Sequence, residues 1–161
     1  MSQSTQQTTP HQKTKLRLQE LGLELPVTAA PVASYVPATT AGGLVYTSGQ
    51  LPLRDGVLAG TGKVGADVGA EEASALAATC VLNALAAASA HGDLDSARIV
   101  KVVGFVASAP GFNGQPGVVN GASDLLLEIF GDRGTHARSA VGVAELPLNA
   151  PVEVELIVEF S

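Results

Sequence analysis

The end of the chain carries its clearest pattern. Val152, Val154, Leu156, Val158 and Phe160 alternate with Glu153, Glu155, Ile157 and Glu159. Strand side chains point to opposite faces in turn, so this period of two predicts a strand over 151–160 with one apolar face. Residues 97–108 form a largely β-branched apolar run, broken between Ile99 and Ala107 only by Lys101 and Gly104. Such a run suits a strand covered on both faces. Two other segments change period. Residues 70–90 are rich in Ala and Leu, with Glu71 and Glu72 in the first turn and Gly92 past the end, which predicts a helix. Over about 115–131, Val118, Val119, Ala122, Leu125, Leu126, Ile129 and Phe130 recur at helical spacing. Strands are expected over 33–38 and 43–50, joined by Ala41-Gly42-Gly43, and over 138–146. Val57-Leu58-Ala59 reads as a short edge strand after the Arg54-Asp55-Gly56 turn, and a short helix from about Leu16 to Leu21 stops near Gly22.

The order of strands, helix, strand, helix and two strands predicts an α/β (α+β) fold. A single domain over 13–161 follows a Ser-, Thr- and Gln-rich tail over 1–12 that is expected to be disordered. About six strands form a mixed sheet, and two helices cover one of its faces. Since 97–108 is apolar on both faces, the other face needs a partner. A second copy of the chain is the simplest one, which predicts a closed homo-oligomer.

Composition narrows the picture. Hydrophobic residues make up 46% of 161, enough for a substantial core, while aromatics are 4% and Trp is absent. The core must be Val, Leu, Ile and Ala. The net charge is −6, and Lys13, Lys15 and Arg17 lie near the N-terminus, so the rest of the chain can hardly present the basic face that nucleic acid requires. The single cysteine, Cys80, excludes an intrachain disulfide and fits a cytoplasmic protein. The polar N-terminus lacks the apolar stretch of a secretory signal, and apolar runs break before membrane-spanning length. A soluble protein without membrane or nucleic-acid partner is expected. No metal-ligand set or phosphate loop is legible.

The candidate chemistry sits in His136-Ala137-Arg138-Ser139-Ala140-Val141-Gly142-Val143. On a strand Arg138, Ala140 and Gly142 share a face, and the opposite set, Ser139, Val141 and Val143, is expected to pack beneath the helices. Small neighbours would leave room above the guanidinium, whose fork matches a carboxylate. Arg138 is then either a ligand clamp or a structural partner of a carboxylate such as Glu155. The glutamates of 153–159 are either a solvated face or the source of a group that holds water or a proton near Arg138. Thr47 and Ser48 read as strand-end hydrogen-bonding groups, Asn83 and Asn120 as structural linkers, and Cys80 as inert core. His136 has no companion at ligand spacing.

Several ordered segments resemble the YjgF/RidA superfamily, also known as L-PSP endoribonuclease-like. They are Ser34-Tyr35-Val36, Val45-Tyr46-Thr47-Ser48-Gly49-Gln50-Leu51-Pro52, Asn83, Val103-Gly104-Phe105-Val106 and Val119-Asn120. The most specific is Ala137-Arg138-Ser139-Ala140-Val141 with Val143, Leu146 and Pro147, followed by Val152-Glu153-Val154-Glu155. The resemblance implies a chorismate mutase-like fold and a homotrimer with sites between subunits. It implies hydrolysis of reactive 2-enamino and 2-imino acids to 2-oxo acids and ammonia, without a cofactor or metal. Arg138 matches the arginine that grips the substrate carboxylate, with Glu155 as its catalytic companion. Tyr35, Ser48 and Asn120 match other pocket residues. Ala140 stands where family members often carry a cysteine, so the thiol is missing and only backbone groups remain there. The alternatives are a carboxylate-binding regulatory trimer without turnover and, disfavoured by the acidic balance, an endoribonuclease or translation inhibitor.

Overall fold

The computed structural model describes residues 9–28 and 34–161. Its elements are α1 (Gln12–Glu20), β1 (Ala38–Ala41), β2 (Leu44–Thr47), β3 (Leu53–Arg54), β4 (Val57–Leu58), α2 (Ala70–Ser89), β5 (Ala97–Ala107), α3 (Gln115–Phe130), β6 (Ala137–Val143) and β7 (Val152–Phe160). Five strands form one mixed sheet in the order β1-β2-β7-β5-β6. The pair β5–β6, linked through α3, is parallel and the other neighbours are antiparallel. The sheet has five strands rather than six because β3 and β4 close on each other as a separate ribbon.

Several boundaries differ from those expected, each for a local reason. Residues 1–8 of the expected tail lie outside the described residues. Helix α1 starts at Gln12, before Leu16, because another element caps it. The Asp95 carboxylate accepts the backbone N–H groups of Lys13 (3.0 Å) and Thr14 (2.8 Å) and the Thr14 hydroxyl (2.8 Å). Burial opposes the Asp95 charge, but these bonds outweigh it and hold the pKa below the usual carboxylate value. Leu18 then buries completely, worth roughly 1.5–3 kcal/mol. Strand β1 begins at Ala38 rather than within 33–38, of which residue 33 lies outside the described residues. Pro37 has no N–H to pair, and its carbonyl receives the Ser48 N–H at 2.8 Å. Strand β2 ends at Thr47 rather than residue 50, because the Thr47 hydroxyl takes the Leu156 N–H at 2.9 Å and pairing with β7 resumes only as a bridge between Gln50 and Val154. Gly42 and Gly43, with φ of 57° and 77°, make the tight hairpin between β1 and β2. Strand β6 ends at Val143 rather than 146, and the chain then turns through Pro147–Asn149 with Leu148 and Asn149 at positive φ.

The helix-bearing face of the sheet is made by Val45, Ile99, Val102, Val106, Val152, Val154, Leu156 and Val158, all at most 2% exposed, under α2 and α3. Two glycines let the helices close. A Cβ on Gly104 would lie 2.4 Å from Val119 of α3, and one on Gly121 would lie 1.9 Å from the Ser74 carbonyl oxygen of α2. In β5 the register against β7 slips between Ile99 and Lys101, so Val100 is an extra residue and the alternation changes phase. Ile99 and Val102 therefore both reach the helices, while Lys101, Val103 and Phe105 turn to the opposite face.

That opposite face carries Tyr46, Val103, Phe105, Val141 and Ile157, with Glu153 and Glu155 among them. Tyr46 and Val141 remain 40% and 44% exposed. Glu153 is half-buried, and its carboxylate fills the space beside Gly49 that a Cβ would occupy. Burial first, and the Glu155 charge second, raise its pKa above the ordinary 4.5.

Two consequences can be measured. Alanine usually stabilises a helix over glycine by about 0.5–1 kcal/mol. At Gly121 the obstacle is a backbone carbonyl that cannot yield, so an overpacking cost of about 1–3 kcal/mol dominates. Gly121→Ala should therefore lower the urea midpoint, and an unchanged or raised midpoint would contradict this close helix contact. Glu153 binds its proton more tightly folded than unfolded, so its contribution falls as pH rises above 4.5. Glu153→Gln should unfold at higher denaturant than the parent at pH 7, with the gap narrowing toward pH 4. A variant less stable than the parent at pH 7 would refute the raised pKa.

Candidate functional site

Arg138 lies second in β6, beside Val102 in the parallel register, and Ala140 lies beside Gly104. Paired residues of parallel strands share a face, so Arg138, Ala140 and Gly142 lie on the helix side. Ser139 and Val141 lie on the open side with Val103 and Phe105. This reverses the expectation that Ser139, Val141 and Val143 pack under the helices. The small residues mark where α3 comes close rather than where space is left. A Cβ on Gly142 would sit 2.7 Å from the Gln115 amide nitrogen, and Ala140 packs on the core.

Helix α3 begins beside this strand, with Pro116 in its first turn. Pro116, Asn120 and Ser123 follow at spacings of four and three, which places them on one stripe. All three meet the guanidinium. Arg138 Nη1 donates to Asn120 Oδ1 at 2.7 Å and to Ser123 Oγ at 3.2 Å, while Nη2 makes a long bond of 3.4 Å to the Pro116 carbonyl. Among the described residues nothing accepts from Nε. The half-buried guanidinium is thus fastened along its Nη1 side, and its Nε side meets no acceptor among the described residues. It has no carboxylate partner among these contacts. A structural pair with Glu155 does not form, because β5 separates β6 from β7.

Glu155 projects from the open face of β7, beside Val103. Two strand spacings, roughly 10 Å, and the thickness of the sheet separate it from Arg138 in one chain. Ser48 follows the last residue of β2, between the Tyr46–Ile157 pair and the Gln50–Val154 bridge, on the β2–β7 seam that also carries Glu155. Its hydroxyl donates to the Val36 carbonyl at 2.6 Å. Tyr35 lies 51% exposed just before β1. The six expected residues therefore fall into two groups. Arg138, Asn120 and Ala140 stand at the β6 edge on the helix side. Glu155, Ser48 and Tyr35 stand toward the β1–β2 edge, with Glu155 on the open face.

The other polar residues have local tasks. Thr47 Oγ1 accepts the Leu156 N–H at 2.9 Å, and Asn83 donates to the Leu51 and Leu53 carbonyls at 3.1 and 3.0 Å. Asn120 is not a buried linker, since it is exposed and holds Arg138. Cys80 is fully buried, and burial raises its thiol pKa well above the usual value, consistent with inert core. No cluster of His, Cys, Asp and Glu with metal-binding geometry occurs among the described residues. Sequence reading missed Ser123 and the partner of His136. The spacing of Ser123 from Asn120 was the available signal, but it points to β6 only once the face of β6 is known.

The family model described as "YjgF/chorismate mutase-like, putative endoribonuclease" matches residues 15–160. Protein TCP17 of Trypanosoma cruzi is 46% identical over 147 residues, which is 89% of this chain and 92% of that protein. A 2-iminobutanoate/2-iminopropanoate deaminase of Dermatophagoides farinae is 34% identical over 136 residues, 84% of this chain and 93% of its own length. The crystal structure of a protein of unknown function from Agrobacterium tumefaciens superposes with a TM-score of 0.85 at 48% identity, covering 92% of this chain and 93% of that one. The matched span runs from α1 to β7 and takes in both groups of site residues, and on this ground the chain belongs to the YjgF/chorismate mutase-like family.

Proposed function

We propose that this protein hydrolyses reactive 2-imino and 2-enamino acids to 2-oxo acids and ammonia, at sites shared between copies of a homotrimer. The observation that carries this reading is the Arg138 guanidinium, fastened to α3 on one side and open along Nε. A 2-imino acid offers a carboxylate to that side, and parallel N–H groups grip it bidentately. The adjacent iminium carbon is already electrophilic, so water adds without a strong nucleophile. Water oxygen bonds to the carbon, and the C=N double bond becomes single. The C–N bond then breaks, a C=O bond forms, and nitrogen leaves as ammonia. Each stage moves a proton. Arginine stays charged and cannot do this. Glu155 is the group suited to take and return the proton, with Ser48 and Tyr35 walling the pocket. Ala140 offers no thiol, so the chemistry runs on water and a carboxylate, and the reaction needs no cofactor.

The two groups of residues stand apart in one chain, so the arginine half of one copy must meet the Glu155 half of the next. The uncovered face with Tyr46, Val103, Phe105, Val141 and Ile157 supports such an assembly. The name of the Dermatophagoides relative supports the substrate class. A second reading is a trimer that binds a carboxylate ligand without turnover. It is favoured by the groups that touch Arg138 within the chain, an amide, a hydroxyl and a carbonyl, none of which moves protons at neutral pH. The net charge of −6 weighs against ribonuclease activity.

The test generates imino acids in situ with an amino-acid oxidase or threonine dehydratase and follows 2-oxo acid formation. The parent should accelerate it and behave by light scattering as three chains. Arg138→Ala should lose at least about 30-fold in kcat/KM, equivalent to about 2 kcal/mol. Glu155→Gln should lose kcat with KM little changed. No acceleration across several precursors, with carboxylate binding retained, would replace the hydrolase by the binding trimer.

A further inference from the structure

Behind Arg138 the hydrogen bonding continues in one direction. Ser123 Oγ, which receives Arg138 Nη1 at 3.2 Å, also lies 2.8 Å from His136 Nε2. His136 Nδ1 lies 2.6 Å from the carbonyl oxygen of Gly134. A carbonyl only accepts, so Nδ1 must carry the proton. With the ring neutral, Nε2 offers only a lone pair, so the Ser123 hydroxyl donates to it. The hydroxyl proton is committed to the imidazole, which turns the serine lone pairs to the guanidinium. Arginine donates to serine, serine to histidine, and histidine to the backbone. Each donor in such a chain polarises the next. Both ends are anchored. Ser123 is 9% exposed within α3, and a Cβ on Gly134 would lie 2.4 Å from the Leu126 carbonyl, so this backbone is locked against the same helix.

We propose that Ser123 and His136 are positioning residues for the arginine clamp. By fixing the hydroxyl as an acceptor they hold Nη1 against α3 and aim the Nε side at the ligand carboxylate. This rests on the reading that Arg138 binds carboxylate. Without the hydroxyl the second Nη1 proton has no acceptor, and the guanidinium is held by Asn120 and the long bond to the Pro116 carbonyl. With the hydroxyl fixed as an acceptor, both Nη1 protons are held on one helix, beside the long Nη2 bond to Pro116. The role belongs to binding and not to proton transfer, because neither residue meets the open side of the guanidinium.

The probe is 2-oxobutanoate, a stable 2-oxo acid, titrated calorimetrically into the parent and into Arg138→Ala, Ser123→Ala, Ser123→Thr and His136→Phe proteins. Nitrogen-15 NMR of the parent reads the His136 tautomer. The parent should bind, Arg138→Ala should not, and Ser123→Ala and His136→Phe should each weaken binding roughly three- to tenfold, the scale of one net hydrogen bond. Ser123→Thr, which restores the hydroxyl, should recover most of the loss, and the imidazole should carry its proton on Nδ1. Parent-like binding by Ser123→Ala, with Arg138→Ala still inactive, would overturn the positioning role and leave the clamp standing. An Nε2–H tautomer would overturn it too, even where Ser123→Ala fails to fold. Failure of the parent to bind, or parent-like binding by Arg138→Ala, would remove the clamp itself and this inference with it.

Discussion

The close approach of α3 to the parallel pair β5–β6 governs this molecule. Gly104 makes it possible, because any Cβ there would drive into Val119. Ala140 and Gly142 continue the shallow track on the next strand, where the Gln115 amide lies against Gly142. A helix seated this low brings its Pro116–Asn120–Ser123 stripe within hydrogen-bonding reach of whatever emerges from the edge strand. What emerges is Arg138. The same glycine contact that buries Val118, Val119, Ala122 and Leu126 also fixes the plane of a guanidinium. Packing and site are here one interaction, since a helix lifted by a methyl group would lose its core contacts and its grip on the arginine together.

Much of this was legible in the chain itself. Helix α3 and strand β7 follow from their period, α2 from its Ala- and Leu-rich composition and β5 from its β-branched run, and burial in β7 alternates from Val152 to Val158 as the Val/Glu pattern requires. The identity of Arg138 as the odd residue among small neighbours was also readable. Which way it points was not. The inference ran from small size to open space, whereas a small residue equally marks a place where another backbone comes near. The face of β6 depends on its register with β5, and the phase of β5 depends on the extra residue at Val100. No local signal separates Val100 from its β-branched neighbours, so a single bulge hidden in an apolar run withheld the orientation. His136 was unreadable for a similar reason. Its partner Ser123 lies 13 residues away on another element.

The division of the site residues has a physical logic. Gathering Arg138 and Glu155 on one face of one chain would cancel the charge of both, because a strong fork and a carboxylate within reach would satisfy each other and leave nothing for a ligand. Placing them on opposite faces and separate strands keeps the arginine paired only with neutral groups. Its charge remains available, and its surplus N–H groups are held in geometry by an amide, a hydroxyl and a carbonyl. On the other face, burial first and the neighbouring Glu155 charge second raise the Glu153 pKa.

The neutral surroundings of Arg138 also bear on what the missing thiol means. A cysteine at position 140 would lie on the same face as the guanidinium, beneath α3. The room there is set by Gly104 and Val119, and Ala140 already packs against the core. A larger side chain would push toward α3, where Asn120 and Ser123 must stay within 3.2 Å of the arginine. Alanine therefore favours close packing of α3 against Arg138 over an additional reactive group. Under the proposed function, specificity would then rest on how firmly Arg138 holds the ligand carboxylate, and less on what the strand beneath contributes to bond making.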